Sequence, residues 1–265
     1  MIQMNFGFGP LEAEFWRMVF LMTRCGAALF AAPLFGSAQV PAQVRVVLAG
    51  ALAVMLCVWT AIPAPPALFS LPGLLDTCGE IVIGLALGFA LQFAFAAPVI
   101  AAEMIGASMG LSIATAADPL SGAHSPALGQ YFTVVLTVIF LALGAHLQWF
   151  ALLVDSYRAF PPGGGWFTPD RMGIMAAFGA QMFVSALVLA LPVVLLLLLV
   201  QVMFGVLARS APSLNIFALG LPLGMLAGLA GLVASAPLVA DAMGDVVALA
   251  LGQAQAMLAP LPAKG

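Results

Sequence analysis

A chain of 265 residues that is 64% hydrophobic and 6% charged, with a mean hydropathy of +1.19, shows apolar side chains to everything around it. Its solvent is therefore lipid or equally apolar subunits, which sets aside most soluble-enzyme readings. Seven basic and ten acidic residues leave a net charge of −3 with no basic run, and this excludes a nucleic-acid surface.

Four stretches, 46–75, 119–154, 172–208 and 210–240, run at least thirty residues without an Asp, Glu, Lys or Arg. A bilayer-spanning helix needs about 20 apolar residues, so the length suits one helical membrane domain over 1–265, with about six to eight segments. Met1–Pro10 has no basic region and its first charges are Glu12 and Glu14, so no cleavable signal is expected and the mature chain is expected to begin at or near Met1.

The first helix is expected from Leu11 to Ala32, stopped by Pro33 and Gly36-Ser37. A second begins near Pro41, whose missing N–H suits a first helical turn, and ends by Ile62 before Pro63, Pro65 and Pro66. A long, interrupted helical region from Leu74 to Ala117 carries Glu80, a kink at Pro98 and Glu103. Asp118–Gln130 is a break, Tyr131–Phe160 is helical again, and Pro161–Gly165 is a surface turn. Arg171–Arg209 follows with Pro192 in mid-run, then a turn at 211–213, then Asn215–Ala236, and Pro237 is expected to break the chain before a weaker last helix to Met257. No alternating strand pattern occurs, so the fold class is all-α: a polytopic membrane protein of long, Gly/Pro-broken helices.

Glycine totals 27 and proline 19, many within apolar helices. Gly84 and Gly88 lie four apart, as do Gly220, Gly224 and Gly228, so each set forms a smooth groove on one helix face. Such grooves serve ordinary packing within the chain or receive other subunits. Arg24, Arg45, Arg158, Arg171, Arg209 and Lys264 are read as lying near segment ends, and no loop has the basic excess that would set an orientation.

An ionisable group at mid-bilayer costs about 2.5–3.5 kcal/mol, so each needs a reason. Asp155 and Arg158, three apart, are most simply an interfacial ion pair. Glu80 is read as complementing a helix N-terminus. Glu103, flanked by apolar residues, is either a proton relay or a group facing a lumen or partner. His146 is read as bonding a neighbouring backbone, and Cys25, Cys57 and Cys78 as small hydrophobes. No metal or cofactor motif and no catalytic constellation occurs, so no enzymatic role and no cofactor are expected.

The break at Asp118–Gln130 carries the most information. It holds two prolines and two glycines with a single charge, and irregular backbone at membrane depth must be buried in protein or line water. It is either an ordinary loop or a constriction whose Ser121, His124, Ser125 and Gln130 are neutral hydrogen-bonders.

The residues around it carry a resemblance. M-G-L-S-I-A-T-A-A-D-P-L-S-G-A-H-S-P-A-L-G-Q, Met109–Gln130, is similar to the central signature of the FliR family of flagellar export-gate proteins, relatives of the injectisome SctT proteins. Arg24 with A-P-L-F-G (Ala32–Gly36) and V-P-A-Q-V-R (Val40–Arg45) resembles its first hairpin. His146-Leu147 with L-L-V-D-S-Y-R-A-F-P-P-G (Leu152–Gly163) and L-A-R-S-A-P-S-L-N-I-F-A-L-G-L-P (Leu207–Pro222) resemble later motifs, so the likeness spans about residues 15–230. Gly144-Ala145-His146 departs from an expected Asn-Gly-His, and Gly224 stands where many relatives have lysine. Asn215, Phe217 and Gly220 favour a flagellar over an injectisome member.

The resemblance implies a core subunit of the flagellar type III export gate, in the bacterial inner membrane at the basal body. It implies assembly with FliP- and FliQ-like subunits into a spiral of helix hairpins that closes around a channel for unfolded export substrates, with FlhB and FlhA as further partners. Energy would come from the proton motive force and a cytoplasmic ATPase. It also implies that the loop made of Met109, Gly110, Leu111, Ser112, Asp118, Pro119, Ser121, Gly122, His124 and Ser125 forms part of a pore plug. Glu103 and Gln130 then become lumen or interface groups, and Gly84, Gly88, Asn215, Phe217, Gly220, Gly224 and Gly228 packing or subunit-interface positions. The rival readings are a secondary transporter relaying protons through Glu103, Asp118 and His146 on helices broken at Pro98 and Pro192, and a scaffold that closes the ring without contributing to the lumen.

Overall fold

The computed structural model describes residues 10–60, 62, 70–111, 126–162, 168–210 and 216–259. Among them every regular element is a helix: α1 (Pro10–Ala31), α2 (Ala42–Trp59), α3 (Leu71–Ser108), α4 (Pro126–Ala142), α5 (Ala145–Ala159), α6 (Pro169–Ser210) and α7 (Ile216–Leu258). Four of these, α2, α3, α6 and α7, are long and apolar enough to cross a membrane, or up to five if α4 and α5 count as one broken span. The protein is an all-α polytopic membrane protein. α1 is not among the four, because Glu12, Glu14, Arg17 and Arg24 interrupt it.

α1 ends where Pro33 cannot donate, and the turn that follows is closed by Gly36 N–H on Ala32 O at 2.6 Å. Pro41 stands as the N-cap of α2, one residue before its first turn, and Thr60 caps its other end with its N–H on Leu56 O. Arg17 Nη2 donates to Thr60 O at 2.6 Å while a Cβ on Gly26 would meet Ala49 Cβ at 3.9 Å. The two helices therefore run antiparallel as a hairpin, and Arg45 Nη2 staples its turn through Ser37 O and Val40 O.

Several boundaries differ from the sequence expectation. α3 starts at Leu71 because Ser70 Oγ accepts the Gly73 N–H, and it ends at Ser108, before Gly110 with its left-handed φ of 84°; Ser112–Ala117 of the expected helical region lie outside the described residues. The expected helix Tyr131–Phe160 starts earlier, at Pro126, and is divided by Gly144, whose φ of 66° only glycine takes without strain. Pro126–Gln130 thus belong to α4 instead of to the break. Pro237 does not end a helix: α7 continues through both Pro222 and Pro237 to Leu258. An interior proline removes one N–H donor, and a long apolar helix tolerates the freed carbonyl when neighbouring groups re-satisfy or cover it.

The chain divides into two compact units. The first comprises Met1–Phe93, Gly144–Gly179 and Leu249–Gly265; the second comprises Ala94–Leu143 and Ala180–Ala248. In the first, Phe20, Leu21, Leu29, Leu56, Leu87 and Trp149 are buried; Trp149 stacks on Phe35 at 6.1 Å and donates its indole N–H to Leu87 O. In the second, Ile105, Phe132, Leu136, Phe140 and Val193 are buried, with Phe95 edge-on to Phe140 at 5.7 Å.

Candidate functional site

The described part of the proposed plug is its root. α3 delivers Met109, which is buried, and Gly110, which turns the chain; Leu111 follows, half-buried. Ser112, Asp118, Pro119, Ser121, Gly122, His124 and Ser125 lie outside the described residues. α7 brings Gly224 and Gly228 against Met109. A Cβ on Gly224 would stand 3.2 Å from Met109 O, and one on Gly228 would meet Met109 Cγ, with Sδ at 2.7 Å and Cε at 2.8 Å. From α6, Gln201 Nε2 donates to Ser108 O at 3.0 Å, satisfying one of the carbonyls a helix end leaves over. These groups all belong to the second unit.

The other singled-out residues fall in several places. Glu103 is exposed on α3 and Gln130 is exposed on α4. Gly220 is half-buried in α7; Phe217 lies in the same helix, its side chain outside the described residues, as is Asn215 altogether. Gly84 and Gly88 face α1 of the same chain: a Cβ on Gly84 would strike Arg24 O and one on Gly88 would lie 2.6 Å from Ala28 O. Asp155 and Arg158 pair at 3.1 Å, both exposed.

One cluster escaped the sequence reading. Arg24 is fully buried rather than terminal, two turns before the end of α1, and Glu80 is 2% exposed in the third turn of α3, beyond reach of the helix N-terminal dipole. The two form a bidentate pair, Nε on Oε2 at 2.8 Å and Nη2 on Oε1 at 2.7 Å. Arg24 also donates from Nη1 to Ser156 Oγ at 3.1 Å and from Nη2 to Phe160 O at 2.8 Å. Its guanidinium lies 4.0 Å from the Tyr157 ring centroid, and Tyr157 Oη donates to Leu21 O at 2.6 Å. One side chain so ties α1, α3 and α5 together in the first unit. The signal available in the sequence was charge accounting: an arginine and a glutamate, each stranded in an apolar run, each require an opposite charge.

The described residues hold no group of three or more metal-ligating side chains. What the arrangement can do is hold helices in register and fix where a polar, proline-containing segment leaves α3.

Comparison with known proteins gives this arrangement a family. The sequence matches the bacterial export proteins, family 1, over residues 15–250. It is 36% identical to the flagellar biosynthetic protein FliR of Escherichia coli (strain K12) over 234 residues, which cover 87% of this chain and 86% of that protein. FliR of Bacillus subtilis (strain 168) is 36% identical over 213 residues, 76% of this chain and 78% of the relative. FliR of Aquifex aeolicus (strain VF5) is 29% identical over 217 residues, covering 82% and 84%. The chain belongs to this family of bacterial export proteins, that of FliR.

Proposed function

We propose that the chain is a core subunit of the flagellar type III export gate in the bacterial inner membrane, and that the segment following α3 helps to plug a channel for unfolded flagellar proteins. The supporting observation is the end of α3: Met109 is held in a glycine groove, Gly110 turns the chain sharply, and the sequence from Ser112 to Ser125 then carries the single charged residue Asp118. A plug must hold a shape through weak contacts that a passing chain displaces, and small neutral side chains provide that. Exposed apolar ridges agree with a subunit that needs lipid and companions: Val47, Val54 and Val58 on α2, and Phe183, Leu187, Leu198 and Val202 on α6. FliP- and FliQ-like chains, with FlhB and FlhA beside them, are the companions this reading requires.

Shortening Leu111–His124 tests it. The variant is expected to copurify with FliP- and FliQ-like chains in mild detergent yet leak sodium from vesicles; an assembled complex with unchanged ion flux would overturn the plug. The transporter reading is tested by Glu103→Gln. Glu103 is exposed and makes no hydrogen bond or ion pair among the described residues. The substitution is therefore expected to leave flagellar export and motility within about twofold of normal, since exposed changes usually shift free energy by under about 0.5 kcal/mol. Loss of export would favour proton relay.

A further inference from the structure

We propose that the end of the α1–α2 hairpin opposite its turn is a membrane-interface anchor, with Trp59, Phe15 and Trp16 lying where phospholipid headgroups meet the acyl chains. This placement holds whether or not the chain builds an export gate. α2 has 18 residues and so spans about 27 Å, close to the roughly 30 Å of a hydrocarbon core. Its two ends therefore fall at the two faces of a bilayer. Arg45 stands beside the hairpin turn at one end, and Trp59 stands at the other. Arg17 Nη2 on Thr60 O brings α1 to that second level, and with it Phe15 and Trp16, whose rings meet edge-on at 5.4 Å.

The side chains distinguish lipid from water and from another protein. Membrane helices approach one another through small residues, and those of α2 point inward. Ala49 and Ala53 are buried, and a Cβ on Gly26 of α1 would meet Ala49 Cβ at 3.9 Å. The outward ridge carries Val47, Val54 and Val58, a surface that suits acyl chains. Trp59 continues this ridge at 77% exposure, and Phe15 is exposed beside it. So large an apolar ring is costly in water, while its indole N–H needs a polar partner that hydrocarbon lacks. The interface meets both needs. The backbone fits the same level: Thr60 N–H and Oγ1 both donate to Leu56 O, and Thr60 O accepts from Arg17, so these groups need no water. The charge shown outward is a carboxylate. Glu14 is 62% exposed at its side chain against 13% for Arg17, its ion-pair partner at 3.3 Å. A headgroup ending in an ammonium, as phosphatidylethanolamine does, complements it.

The test uses the full chain, extracted from its own membrane and reconstituted into phosphatidylethanolamine-rich vesicles. The acyl chains carry bromine, which quenches tryptophan on contact, either near the headgroup or near the chain terminus. The emission of Trp59 is read as the difference between the parent chain and Trp59→Phe, while Trp149, fully buried, adds the same background to both. The Trp59 share is expected to fall most with bromine near the headgroup. Trp16→Phe gives a second difference with the same expected order, and it carries the test should Trp59→Phe fail to accumulate. Quenching strongest with bromine at the chain terminus puts the rings at mid-bilayer and overturns the anchor. Emission reached by aqueous iodide but by neither bromine puts them in water and overturns it as well. Emission that neither bromine nor iodide reaches means that protein covers this end, and the anchor falls on that result too.

Discussion

Replacing Arg24 with methionine is expected to strip most of the folded chain from the membrane fraction, and replacing Glu80 with methionine as well is expected to return much of it. The single change leaves Glu80, 2% exposed, without the two donors that face its carboxylate at 2.7 and 2.8 Å. Breaking a buried pair from one side costs about 3–5 kcal/mol, because the remaining charge has neither water nor partner. Domains have only about 5–15 kcal/mol in hand, so this loss alone approaches the whole. Removing both charges is a different event. Two apolar side chains of similar volume often substitute for a buried pair without loss. Ser156 keeps its own bond to Leu153 O at 2.6 Å, and only Phe160 O is left without the donor Arg24 gave it. Abundance in washed membranes and denaturant midpoints in detergent form the double-mutant cycle, with an expected coupling larger than the cost of either single change. Equal abundance of Arg24→Met and the parent chain, or a double variant no better than the single, would contradict the pairing.

That pair also marks the limit of what the sequence could tell. Local rules found the helix ends that local chemistry decides. Pro33 with Gly36-Ser37, and Pro161-Pro162 with the glycines after them, are clusters in which several residues oppose a helix together, and α1 and α5 stop there. Pro98, Pro192, Pro222 and Pro237 are single prolines among helix-compatible neighbours, and α3, α6 and α7 continue through them. The same residue type thus gave opposite outcomes, and what separated them was company. Gly144 shows the converse. Nothing beside it opposes a helix, yet its left-handed backbone divides α4 from α5. Arg24 and Glu80, 56 positions apart, meet only once the helices are placed. At the site the family motif identified Met109 and Gly110 through resemblance. Their physical role, a thioether in a glycine groove, needed Gly224 and Gly228 brought from the other end of the chain.

Gly84→Ala is expected to destabilise the chain strongly, although alanine is the better helix former. A Cβ at this position would run into Arg24 O, with Ala27 Cβ at 2.9 Å and Ala28 N at 3.0 Å; at Gly88 it would meet Ala31 Cβ at 2.5 Å and Ala28 O at 2.6 Å. Most of these obstacles are backbone atoms or alanine methyl groups, which cannot swing aside, so α1 itself must move off α3. Overfilling such a contact costs about 1–3 kcal/mol. The displacement also pulls on the ion pair, because Glu80 lies one turn before Gly84 on the same helix and Arg24 supplies the carbonyl in the way. Gly79 and Gly50 provide the control, since a Cβ on either would meet nothing within 4 Å. Gly79→Ala and Gly50→Ala are expected to be neutral or to stabilise by about 0.5–1 kcal/mol through helix propensity. Denaturant midpoints in detergent should therefore move in opposite directions for glycines on one helix only five residues apart. In a chain already carrying Arg24→Met and Glu80→Met the cost of Gly84→Ala is expected to shrink, because a retreating α1 no longer drags a guanidinium from its carboxylate. Equal shifts for Gly79→Ala and Gly84→Ala would mean that α1 and α3 are not in backbone contact, and a cost undiminished in the double background would mean that contact and ion pair act independently.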